Sequence, residues 1–159
     1  MTESLVQSGV KDANDLNTFR RLKTVFSKMG MELYDLSIFT TLSLHFAYRE
    51  FKSKLGDRKQ KSKFYGKDCI LPIISSECPG WVCYAEKRCG ELALPHMSTV
   101  KSSQQLFGSF MRMRSLNTKV VTIMPCYDKK LEAVRPDFKF APDESQIKEV
   151  DTVLATHEL

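Results

Sequence analysis

No apolar run in this chain of 159 residues approaches the roughly 20 residues that a membrane-crossing helix needs; the longest, residues 69–74 and 120–124, are far shorter. A membrane-spanning role is not expected. Residues 1–14 are polar and of mixed charge, without the apolar stretch of a secretory signal or the arginine-rich, acid-poor character of a transit peptide. They read as a flexible amino terminus, and the chain is expected in the cytoplasm or the nucleus. There is no C-x-x-C pair, and the five cysteines, Cys69, Cys78, Cys83, Cys89 and Cys126, are odd in number, which speaks against a disulfide framework. The three histidines, His45, His96 and His157, stand in no spacing that marks one of them as the base of a cysteine nucleophile. No internal repeat is visible.

What is present suits one compact domain: 42% of the residues are hydrophobic, enough for a single core at this length. The net charge of +5 is modest, and much of it lies in residues 52–67, read here as a solvated loop. That run lacks interleaved aromatics and any nucleic-acid module signature, so nucleic acid is not an expected partner.

Helical spacing of Leu16, Phe19, Leu22, Val25, Phe26 and Met29, after the capping candidates Asn14 and Asp15 and before Gly30, predicts an amphipathic helix. Residues 31–36 read as a short strand. A second helix follows, with Leu44, Tyr48, Phe51 and Leu55 on one face. Residues 70–74 read as a buried strand that Pro72 pushes toward an edge. Pro79 suits a helix start, so 81–88 is predicted helical, as is 103–113; residues 120–124 and 150–155 read as strands. Strands alternating with helices predict an α/β fold, a mostly parallel sheet flanked by helices, in which ligands bind beyond the carboxyl ends of the strands.

Two cysteines occupy such exits. Cys78, in Ser75-Ser76-Glu77-Cys78-Pro79-Gly80-Trp81, lies where a strand gives way to a helix and unpaired backbone N–H groups favour negative charge. A thiolate there serves either as nucleophile or as metal ligand. Cys126, in Met124-Pro125-Cys126-Tyr127-Asp128-Lys129-Lys130, lies at another exit, and two soft sulfur donors point to iron-sulfur or zinc. Spacing alone leaves the choice open. Cys69 and Cys83 read as small buried hydrophobes, Cys83 pointing away from the ligand side of its helix. Cys89 reads as a partly exposed spare thiol, and Trp81 as a buried anchor between helix and sheet.

The runs 76–87, 98–105 and 124–133, with Arg135-Pro136-Asp137-Phe138 and Val150-Asp151-Thr152-Val153-Leu154 after them, resemble the signature blocks of the iron-only hydrogenase large-subunit family. More narrowly, they are similar to its eukaryotic non-hydrogenase branch, the cytosolic iron-sulfur assembly factor and its relative the nuclear prelamin A recognition factor. The likeness covers residues 15–159, leaves 1–14 unmatched, and implies a partial domain of that family. It implies a [4Fe-4S] cluster with Cys78 and Cys126 as two ligands. The family's other two ligands come from a later segment, and no cysteine follows Cys126 here. Lys101, Gln104 and Lys129 match residues that face the metal site, and are expected to tune or cap it.

Catalytic hydrogenases carry a second cysteine just before the first ligand, and Glu77 stands there instead. The resemblance thus implies a non-enzymatic component of cytosolic iron-sulfur protein assembly that holds or presents a cluster to other assembly proteins, with no small-molecule substrate and no membrane. The alternatives are a metal-free interaction module like the prelamin A recognition factor and, less favoured, a fragment of a true hydrogenase.

Overall fold

In the computed structural model, residues 15–57, 71–140 and 147–158 are described, and the chain divides into two compact units, residues 1–35 and 36–159. Cys69, Ile70, residues 1–14 and most of the basic run lie outside the described residues.

The first unit contains helix α1, Asp15–Lys28. Its end is set by Gly30, at φ 75°, a left-handed conformation that glycine adopts without steric penalty. Gly30 N–H then donates to Ser27 O and Met31 N–H to Phe26 O, which satisfies two of the last orphan carbonyls. The strand expected at 31–36 does not form. A strand exists through its ladder partner, and none is paired with this segment among the described residues.

The second unit opens with α2, Ser37–Asp57, which takes in the first residues of the expected basic loop. Its inner side carries Phe39, whose ring meets Phe107 edge-on at 5.2 Å and Phe110 at 5.6 Å. Leu44, Tyr48, Phe51 and Leu55 share a face as expected, but that face is exposed. Helix α3, Pro79–Arg88, has Cys78 as an extended N-cap and Pro79 in its first turn, where a missing N–H has no cost. The short α4, Gly90–Ala93, and a 3-10 turn, Leu94–His96, carry the chain back toward Ile74.

Helix α5, Ser103–Arg114, is capped by Ser102, whose hydroxyl accepts from Gln105 N–H. Strand β1, Val121–Met124, leads to α6, Asp128–Ala133, and β2, Thr152–Ala155, returns beside β1. The two strands are parallel, with Val121 opposite Thr152 and Met124 opposite Ala155. Each strand alternates exposed and buried residues, as a pleated strand requires. The core comprises Phe107, Val120, Met124, Ala133, Val150 and Val153, with Leu36, Phe39 and Met111 packed on it. Burying each such large apolar side chain contributes about 1.5–3 kcal/mol. Gly108 allows the 147–151 segment to lie on α5, since a Cβ there would sit 2.6 Å from Glu149 O.

Two further expectations change. The strand at 70–74 reduces, in its described part, to a single parallel bridge between Ile74 and Met97, because Pro72 has no N–H to extend the ladder. Trp81 is 39% exposed rather than a buried anchor, since the buried positions of α3 are Pro79 and Ala85. The α/β class with a small parallel sheet holds. No helix among the described residues is long and apolar enough to cross a membrane.

Candidate functional site

Cys78 closes the turn before α3, and Cys126 lies in the turn between β1 and α6; both are free and exposed. The backbone of the first turn is fixed by Ser76, whose Oγ accepts from Cys78 N–H at 3.1 Å and donates to Cys78 O at 3.3 Å. Such local side-chain bonds hold residues that have not yet entered a helix.

The two turns adjoin. Helices α3 and α6 pack together at their starts: a Cβ on Gly80 would lie 2.4 Å from Asp128 Oδ2, so the Asp128 carboxylate sits directly over Gly80 and would have to turn aside for a larger residue. Beside that contact, Lys129 of α6 reaches Glu77 at 3.4 Å across the two turns. The ammonium of Lys129 also meets Glu132 at 2.9 Å, and both of those side chains are over nine-tenths buried. A buried lysine needs such partners to remain charged.

Gln104 is fully buried and points into the protein: its Nε2 donates to Lys129 O at 3.2 Å, and its Oε1 accepts from Thr122 Oγ1 at 3.1 Å. It ties the start of α6 to β1, and so holds the Cys126 turn from behind. Lys101 turns its ammonium to Ser109 Oγ at 3.2 Å and to the buried carboxylate of Glu149.

A cavity of about 340 Å³ opens beside the first turn, lined by Ser76, Glu77, residues 98–102, Glu132 and Arg135. Its far wall is built by Arg135, which binds Glu86 through two nitrogens at 2.6 and 2.9 Å and Asp137 at 3.1 Å. The hydrogen bond from Arg135 holds the Glu86 carboxyl below its usual range. That pair adds stability above the unfolded carboxylate range and loses it as pH falls through the lowered value. Cys83 is half-buried, with its Sγ 3.9 Å from an Arg135 nitrogen, and Cys89 is half-buried between α3 and α4.

Glu132, Glu149 and Arg135 were not singled out by the sequence reading. Two of them left a signal: Glu132, three residues after Lys129 and therefore on the same helical face, and Arg135, which heads one of the matched blocks.

The donors fit an iron-sulfur group in kind, since thiolate sulfur is the usual ligand of such clusters. In number they make half a four-thiolate set. Among the described residues, no group of three or more His, Cys, Asp or Glu side chains is placed to hold a metal ion.

A parallel strand pair flanked by helices, with two free thiols in the turns before α3 and α6, defines an α/β protein with exposed cysteines at adjoining helix starts. The family of the iron-only hydrogenase large subunit, C-terminal domain, matches residues 5–159, and the chain belongs to that family. It is 43% identical over 158 residues to cytosolic iron-sulfur assembly component 3 of Pongo abelii, covering 92% of this chain and 31% of that protein. It is 38% identical over 149 residues to the cytosolic Fe-S cluster assembly factor narfl of Danio rerio, covering 88% and 34%. Among solved structures it is similar to an apo [FeFe]-hydrogenase of Chlamydomonas reinhardtii, with TM-score 0.66 and 27% identity over 79% of this chain and 30% of that one. The chain spans about a third of the length of these curated relatives. The resemblance read from the signature blocks is borne out.

Proposed function

We propose that this chain serves cytosolic iron-sulfur protein assembly, and that Cys78 and Cys126 are two of the ligands of a [4Fe-4S] cluster which it holds or presents to other assembly proteins. The reading rests on the family and on one observation: the Gly80–Asp128 approach and the Glu77–Lys129 pair join the two turns that carry the exposed thiols. The remaining ligands come from outside the described residues. When bound, the cluster supplies a redox-active, transferable iron-sulfur unit. The protein's own groups hold it: Ser76 fixes the Cys78 backbone, Gln104 buttresses the Cys126 turn, and Lys129 ties one turn to the other. Lys101 is a more distant support, through the loop that lines the cavity. The role is not catalytic. Glu77, at the position of the relay cysteine in hydrogenases, offers a carboxylate in place of a thiol and pairs with Lys129 at 3.4 Å. The setting is the cytoplasm, with the nucleus as a second compartment.

Anaerobic reconstitution with ferrous iron and sulfide, counting both per chain, tests this. The wild-type chain is expected to gain a thiolate-to-iron absorption band that the Cys78→Ala, Cys126→Ala double variant lacks. Absence of the band in both would sink the cluster reading. That result would favour a metal-free interaction module, a second reading supported by the absence of a third donor beside the two thiols among the described residues.

A further inference from the structure

We infer that Glu50, on α2 and outside every signature block, is a positioning residue for the Cys78 turn, acting through the loop at residues 98–102. The inference rests on Cys78 being the functional thiol, as proposed above.

The path is continuous. Glu50 accepts from Ser98 Oγ at 2.6 Å, from Thr99 N–H at 3.2 Å and from Thr99 Oγ1 at 3.2 Å, while Lys54 approaches at 3.1 Å. A second residue of α2, Ser43, donates to Lys101 O at 2.9 Å, so the helix grips the loop at two points. From there Ser98 N–H donates to Ile74 O at 2.8 Å and Ile74 N–H to His96 O at 2.8 Å, closing the Ile74–Met97 bridge. Cys78 is four residues beyond Ile74, and Ser76 between them holds its N–H.

Hydrogen bonds to an ionised carboxylate are about twice as strong as neutral ones. The Glu50 side chain is only 12% exposed, so little water competes for it. Burial acts to raise its carboxyl, yet the bonds from Ser98, Thr99 and Lys54 outweigh that and hold it below its usual range.

The Cys126 turn is held differently, by β1 and by Gln104 on Lys129 O, with no bond to the 98–102 loop. Glu50 therefore reaches the Cys78 turn through the 98–102 loop, and the Cys126 turn only by longer routes through the Glu77–Lys129 pair and the capped start of α5. That asymmetry separates positioning from general support of the fold.

The test uses the metal-free chain, so it stands apart from whether a cluster is bound. Native chains are alkylated with iodoacetamide, and rates at Cys78 and Cys126 are read by peptide mass spectrometry for wild type, Glu50→Ala and Ser98→Ala. Amide exchange is followed in peptides covering 71–77 and 96–102. Cys78 is already exposed, so its alkylation reports the reactivity set by the backbone of its turn, and Glu50→Ala is expected to change that rate about threefold or more in either direction, with Cys126 within about twofold. Exchange in both peptides rises. Ser98→Ala, which leaves Glu50 in place but removes its strongest partner, shifts Cys78 in the same direction and serves if Glu50→Ala does not fold. Unchanged Cys78 rates, or equal change of both thiols, would overturn the inference, since the first denies the path and the second makes Glu50 a general fold residue.

Discussion

Helices α2 and α5 pack on each other yet distribute their side chains in opposite ways. On α5 the buried set includes Gln104, Gln105 and Arg112, while Phe110 and Met113 face solvent. On α2 the exposed set includes Leu44, Tyr48, Phe51 and Leu55, while Ser43 is buried. Burial in this protein therefore does not follow residue polarity alone. Buried polar groups are tolerated where their bonds are made inside. Arg112 is the strongest case, for its guanidinium donates to Lys148 O at 2.8 Å, Leu116 O at 3.0 Å and Thr118 O, and pairs with Asp151 at 2.6 Å. Removing one partner of such a network leaves the others desolvated and unmatched. Arg112→Met is expected to cost about 3 kcal/mol or more in urea unfolding. A loss below about 1 kcal/mol would mean that α5 is held by its apolar contacts alone, and the contrast with α2 would dissolve.

The contrast sharpens within α5, between neighbours. Gln104 uses both ends of its amide, on Lys129 O and Thr122 Oγ1, whereas neither amide atom of the equally buried Gln105 has a partner among the described residues. Replacing each by methionine, of similar length, separates the two situations. Gln104→Met strands a carbonyl and a hydroxyl and should cost about 1–3 kcal/mol. Gln105→Met removes an unmatched buried amide and should be neutral or raise the melting temperature. Equal losses from both would show that Gln105 has a partner in solution.

Much of this architecture is written locally in the chain. Periodicity and capping place α1, α3, α5 and both strands, because each rests on near-neighbour signals such as Pro79, Gly30 and the apolar run before Pro125. What is not legible comes from long-range pairing. Residues 31–36 and 70–74 carry strand-like composition, but a strand needs a partner, and that is decided elsewhere in the fold. Trp81 shows that an aromatic in a signature block need not be buried. For the site, the two cysteines stand out by their places at strand exits and take a ligand role only from family likeness, whereas the contacts that bring their turns together involve Gly80, Asp128 and the Glu77–Lys129 pair, whose separation in sequence hides them. Glu50 is hidden further, since it reaches the Cys78 turn only through the bonds of a third segment.

The smallest expected effect probes the other half of the comparison. If the outer face of α2 is bare, its apolar side chains have little contact to lose when made polar. Leu44 is 66% and Tyr48 59% exposed, so neither resembles a core residue whose truncation opens a cavity. Leu44→Gln and Tyr48→Gln should each leave unfolding free energy within about 0.5 kcal/mol of wild type. They should also reduce self-association, because a contiguous exposed apolar stripe promotes contact between molecules. A helix with apolar residues on more than one side is ordinarily covered on more than one side. A concentration-dependent melting temperature in the wild type, abolished by either substitution, would show that this face is buried between copies in solution. Exposure on α2 would then belong to the single chain and not to the assembled protein, and the two helices would differ only in what covers them.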